Sequence, residues 1–206
     1  HDQRVGGAIG GDADGRFEFS ELPAGQYRSE ATAPGFASAI NLEGTVTGFY
    51  YDAASAVHGL VRTRDGKITT FDVPGSGTGA NQGTFAWSIN SRGSVTGYYV
   101  DENDVAHGYI RGPHGSITKF DVPGSGTGAN QGTFSWSINL LGAVTGGYVD
   151  GNAAHHGFVR RPAGSITTLD VPGAGATHAN TSNEAGAIVG YWLDGSNVYH
   201  GFLRKP

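Results

Sequence analysis

The chain repeats itself every 49 residues, and that period decides most of what it can become. The tripeptide AIN ends at Asn41, and SIN ends at Asn90 and again at Asn139. His-Gly-x-x-Arg keeps the same step at His58, His107 and His156, then returns after a shorter step at His200. A period of roughly 40–50 residues is the mark of one supersecondary unit stacked several times, each copy burying a face that it cannot bury alone.

The second copy predicts four short strands: TFAWSIN (84–90), SVTGYYVD (94–101), VAHGYIR (105–111) and SITKFDV (116–122). The joints SRG, END and GPHG are hairpin-sized and turn-rich. Only PGSGTGANQG (123–132) is long. Three tight hairpins followed by one longer crossing is the wiring of a propeller blade. First strands open at FASAIN, TFAWSIN, TFSWSIN and THANTSN, which predicts blades near 36–75, 84–124, 133–173 and 177–206.

The last of these ends without an outer strand. The N-terminal segment 1–35 offers one: Pro23 follows Gly15 by the spacing that separates Pro74 from Gly66. The expectation is therefore an all-β, four-bladed β-propeller forming one domain over 1–206, its ring closed by an N-terminal strand that leaves no open sheet edge. A second register, with YRSEATAPG (27–35) in the closing position, stays open.

Composition agrees. Glycine is frequent at 36 residues and charged residues are only 15%, which suits short strands and tight turns better than helices. The net charge of −5 and the lack of any Lys/Arg cluster argue against nucleic acid and anionic membrane surfaces as partners. No apolar run approaches the ~20 residues of a membrane span. There is no cysteine, hence no thiolate chemistry. The start at His1, without methionine, reads as a processed or trimmed product.

The pattern I-N-x-x-G-x-V-T-G-x-Y-x-D, then H-G-F, then I-T-x-F-D-V-P-G, resembles the HAF-type extracellular repeats of bacterial secreted proteins over about residues 36–206. That resemblance implies an exported protein, extracellular or at the cell surface, with a propeller-like fold, and implies no activity. Residues 12–36, DADGRFEFSELPAGQYRSEATAPGF, resemble part of a carboxypeptidase-regulatory-like domain. Half of such a sandwich cannot bury its own face, so its strands are expected to serve the propeller instead.

The histidines of HGxxR fall on third strands of four separate blades and cannot converge on one ion, since zinc needs three or four donors within ~2.3 Å of one point. Each is expected to pair across the following hairpin with the aspartate ending the second strand: Asp52, Asp101, Asp150 or Asp194. The glycines of VTG and HG are expected where the backbones of neighbouring blades come close.

Candidate binding residues fall in three groups. The two identical crossings carry Asn81, Gln82, Asn130 and Gln131, neutral amides suited to sugar hydroxyls. Trp87 and Trp136 on first strands could stack on a sugar face. In the fourth copy, His178 replaces the phenylalanine and Asn180 the tryptophan of TFAWSIN. Each group has a plain structural reading beside the functional one: turn anchoring, burial between blades, and a packing change where the ring closes. Asp12 and Asp14 in GGDADG have the spacing of a calcium loop but lack its bidentate glutamate, so no cofactor is expected and calcium is the only alternative.

No nucleophile elbow or isolated carboxylate pair is present. The expected function is a secreted, non-catalytic propeller that binds carbohydrate or another surface polymer. The alternatives are a hydrolase or lyase at the channel mouth near His178, built with residues such as His114 and His155, and a passive structural repeat of a larger surface protein.

Overall fold

A computed structural model describes residues 35–206. The N-terminal segment, and with it the expected closing strand and the Asp12–Asp14 turn, lies outside the described residues. Within them are fifteen β-strands and no helix. The first unit contains β1 (Gly35–Ile40), β2 (Val46–Tyr51), β3 (Val57–Arg62) and β4 (Ile68–Phe71). The second contains β5 (Gly83–Ile89), β6 (Val95–Val100), β7 (Ala106–Arg111) and β8 (Ile117–Phe120). The third contains β9 (Gly132–Ile138), β10 (Val144–Val149), β11 (His155–Arg160) and β12 (Ile166–Leu169). The fourth has β13 (Ala176–Ser182), β14 (Ile188–Leu193) and β15 (Tyr199–Arg204).

Within each unit the strands pair antiparallel in chain order. The third strands of the first three units also meet the start of the next first strand through one parallel bridge, as at Val57 with Gly83. First strands pack on one another in sequence: β1 on β5, β5 on β9, β9 on β13. The result is a propeller-like repeat of antiparallel units.

The hairpins explain the period. Asp52, Asp101, Asp150 and Asp194 each turn one carboxylate oxygen back onto two amides of their own loop; Asp150 accepts from Asn152 and Ala154 at 2.8 Å each. The fourth loop residue then takes a left-handed conformation, at Ser55, Asp104, Ala153 and Asn197. This is the three-residue hairpin with a bulge, specified by an aspartate that caps its own turn.

Asn41 and Asn90 do the same for the first hairpins, Asn139 and Asn183 each accept from one loop amide, and three of the four do more. The Asn41 side-chain amide donates to the Asn90 carbonyl at 3.1 Å, Asn90 to Asn139 at 2.9 Å, and Asn139 to Asn183 at 2.9 Å. A ladder of asparagines thus links every unit to the next.

Between units lies the core. Val61 and Phe71 of the first unit pack on Ala86, Ile89 and Val95 of the second. Ile110 and Phe120 of the second pack on Ile138, Val144 and Phe158 of the third. Val159 and Leu169 of the third pack on Ala179 and Ile188 of the fourth. The second and third units are therefore buried on both faces, and Thr47, Thr96 and Thr145 are fully buried beside the valines. Thr47 and Thr96 donate their hydroxyls to carbonyls of the neighbouring strand, at 2.9 and 2.7 Å, which removes the cost of burying them.

The repeated histidine faces the aspartate expected across the hairpin, and in the first three units it also holds a second, closer one that was not expected. His58, His107 and His156 bring Nδ1 to within 2.9, 2.9 and 3.1 Å of Asp72, Asp121 and Asp170, the aspartates that follow the fourth strand. The second-strand aspartates lie farther off, 3.5–3.6 Å from Nε2. Each ring also stacks on the aromatic across the strand pair, Tyr50, Tyr99 or Tyr148. His200 departs from this: it stacks on Trp192 and bonds Asp194 at 3.0 Å through Nε2. Sequence spacing favoured the nearer aspartate because it lies one hairpin away. Register brings the farther one opposite Nδ1, while the nearer one caps its hairpin with one oxygen and faces Nε2 with the other.

The arginine of the motif reaches backwards. Arg111 sits 4.9 Å over the Phe71 ring and Arg160 5.0 Å over Phe120, each on the outer strand of the preceding unit, a cation–π contact between units.

Candidate functional site at the first-strand bulges

Every first strand carries a β-bulge at the same place, and the extra residue is Ser38, Trp87, Trp136 or Asn180 in turn. A bulge breaks the alternation of the strand and re-aims one side chain. Trp87 is accordingly 37% exposed while its neighbour Ala86 is fully buried. The VTG glycine is what lets the bulge fold against the second strand: a Cβ on Gly97 would lie 1.9 Å from the Phe85 carbonyl oxygen. Its close approach is thus within a unit, where an approach between units was expected.

Around this row the units meet through aromatic rings. Phe49 lies 5.2 Å from Phe85 and 5.5 Å from Trp87 across the first seam. Tyr98 lies 5.0 Å from Phe134 across the second. The third seam differs. Gly147 stands where the earlier units have Phe49 and Tyr98, and His178 where they have Phe85 and Phe134.

The Trp136 indole folds over Gly147, where a Cβ would come within 2.7 Å of the ring. His178 stacks between Trp136 at 5.5 Å and Tyr191 at 4.6 Å, with the His155 ring 5.6 Å away. Tyr191 in turn meets Tyr199 at 5.4 Å. His178 Nδ1 is buried and has no hydrogen-bond partner among the described residues. Burial, followed by the neighbouring His155 charge, lowers its pKa below the usual 6.5, so the ring is neutral at pH 7. Asn180, two residues on, is exposed at the bulge.

Of the residues singled out from sequence, Trp136 and His178 are in contact, with Asn180 two residues further along the same strand. Trp87 belongs to the first seam. The crossings bond to their own turns and to the neighbouring hairpins. Gln82 accepts from the Gly79 amide at 3.0 Å and donates to Asp104 at 2.8 Å, and Gln131 accepts from the Gly128 amide at 2.9 Å. Asn81 and Asn130 adopt left-handed backbone conformations, their backbone N–H groups donating to the Ser55 and Asp104 carbonyls at 2.8 Å each.

Tyr191, Tyr199 and Gly147 were missed in the sequence. An aligned repeat carries the signal for Gly147, a glycine at a position otherwise aromatic. Among the described residues no group of three or more His, Asp or Glu is placed to hold a metal ion, and no helix is long and apolar enough to cross a membrane.

No protein-family profile matches the chain, and no curated protein does. Among solved structures it is similar to selenomethionine-substituted virginiamycin B lyase from Staphylococcus aureus. That likeness has 16% identity and a TM-score of 0.37, over 82% of this chain and 69% of that one. A likeness this distant bears on neither activity nor ligand.

Proposed function

We propose that the chain is a non-catalytic binding module of a secreted or cell-surface protein, and that it meets a carbohydrate or similar neutral surface polymer at the seam between the third and fourth units. One observation carries this: the fourth unit replaces the repeated phenylalanine and tryptophan with His178 and Asn180, leaving an unpartnered buried imidazole nitrogen between two aromatic rings. Trp136 and Tyr191 supply flat apolar faces for the C–H side of a sugar. His178 and Asn180 supply donors and acceptors for its hydroxyls. The test is to restore the repeat sequence with the double variant His178→Phe, Asn180→Trp. On a glycan array and in affinity electrophoresis, the wild type is expected to retain a polysaccharide that the variant does not, with both chains folded. Equal behaviour of the two would sink the reading.

A hydrolase or lyase remains the second reading, favoured by the neutral His178 beside the exposed His155. Product release from a retained polysaccharide, abolished by His178→Ala, would replace the first reading with this one.

For the fold we further propose that residues 15–23 complete the fourth unit as its outer strand. β4, β8 and β12 cover β3, β7 and β11, whereas the corresponding edge of β15 has no strand on it among the described residues. In the same register Glu21 takes the place of Asp72, Asp121 and Asp170, opposite His200. Phe19→Pro is expected to accelerate amide hydrogen exchange along β15. Unchanged protection there would remove this strand assignment.

A further inference from the structure

The first and last units leave open the two halves of a face that every interior junction closes. Ile89 and Ile138 are 7% and 5% exposed, because they pack on the third strand of the preceding unit; Ile40, at the same repeat position, is 54% exposed. Ala37 is exposed where Ala86, Ser135 and Ala179 are fully buried. At the other end, Val159 is 7% exposed against the fourth unit, but Leu203, its counterpart, is 60% exposed. Tyr199 stands 69% exposed at the position of Val57 and Ala106, which are 1% and 2% exposed, although His155 at that position of the third unit is exposed too. The asparagine ladder is open in the same places: among the described residues, the Asn183 side-chain amide has no carbonyl to reach and the Asn41 carbonyl receives no asparagine.

These two surfaces are complementary by construction, since each interior junction joins one to the other. They do not meet in one chain. β1 packs on β5 and β9 on β13, but β1 and β13 do not pack on each other in the described residues as successive first strands do. Repeating the same step four times therefore leaves an arc, and closing it takes further units of the same kind. A second copy of the chain supplies them, and two arcs joined head to tail twice form a closed ring with two-fold symmetry.

We propose that the terminal faces join two copies of this chain. Leu203 and Tyr199 of each copy pack against Ala37 and Ile40 of the other, and the Asn183 amide of each donates to the Asn41 carbonyl of the other. The inference rests on the repeat geometry and is independent of the ligand; it places closure between chains, where the sequence suggests closure within one.

Mass measurement by sedimentation or light scattering over a hundredfold range of concentration tests it. The expected mass is twice the 21.3 kDa of one chain. Ile40→Lys and Leu203→Glu change exposed side chains, so each is expected to remain folded and to weaken dimerisation at least tenfold. Mixing the two variants is expected to restore a dimer, because one junction then pairs two unaltered faces. A monomer at all concentrations would overturn the proposal in favour of closure within the chain. Mass that keeps growing with concentration would overturn the closed two-copy ring, and a wild-type dimer insensitive to both substitutions would place the interface elsewhere.

Discussion

The seam between units two and three and the seam between units three and four use the same strands, the same bulge and the same asparagine ladder, yet different chemistry fills them. At the former, Phe158 is fully buried against Phe120 at 6.1 Å and Tyr98 meets Phe134 edge to face. At the latter, the counterpart Phe202 is only partly buried, a glycine removes one aromatic, and His178 replaces another. Backbone pairing and asparagine bonds set the spacing of the units, so side chains between them can be exchanged for polar ones without changing the step. A repeat that packs by local rules can thus keep one seam for stability and release another for a ligand.

The largest expected effect separates the seams by packing. Phe158→Ala should cost about 3–5 kcal/mol, because the surrounding core cannot collapse into the space. Phe202→Ala should cost roughly half as much; equal losses in denaturant unfolding would mean that both seams are equally tight.

Next comes the ladder. Asn139→Ala removes both a turn cap and the bond to the fourth unit, and about 1–2 kcal/mol should be lost. Asn183→Ala removes only the cap in the isolated chain, and about 0.5–1 kcal/mol is expected. In a two-copy ring the two substitutions would cost alike, so this pair also reports on assembly.

A smaller effect lies in the hairpins. Ala153 holds a left-handed conformation with φ 63°, so Ala153→Gly should stabilise by about 1 kcal/mol. Asp104→Gly in the second unit should gain nothing, because its carboxylate accepts the Gln82 amide.

The smallest effect concerns pH. The folded-state pKa of His178 is depressed, so the unfolded chain binds more protons and stability falls as pH drops through the ordinary 6.5. His178→Phe should remove that slope from a series of melts between pH 8 and pH 5. The hairpin aspartates are also depressed, Asp52 and Asp150 chiefly by backbone amides of their own turns. Their contribution is present above the ordinary carboxylate value of 3.8 and is lost only below it, so the two windows do not overlap.

Much of this was legible in the sequence because its causes are local. The 49-residue period, the strand list, the hairpin-sized joints and the exceptional fourth first strand all follow from short motifs compared copy by copy. Residues 178 and 180 could be singled out by comparing copies alone. What could not be read was anything that depends on which strands lie side by side. Two aspartates flank each of the first three histidines, one six residues before it and one fourteen after, and only antiparallel register puts Asp72 across from His58. The bulge that exposes Trp87 needs the second strand to define it, and Gly147 acquires meaning only when the Trp136 ring is seen to occupy its side-chain space. The same limit applied to the ring. Sequence counts units, but the angle between them is set by side chains meeting across a seam, and that packing is decided only in three dimensions.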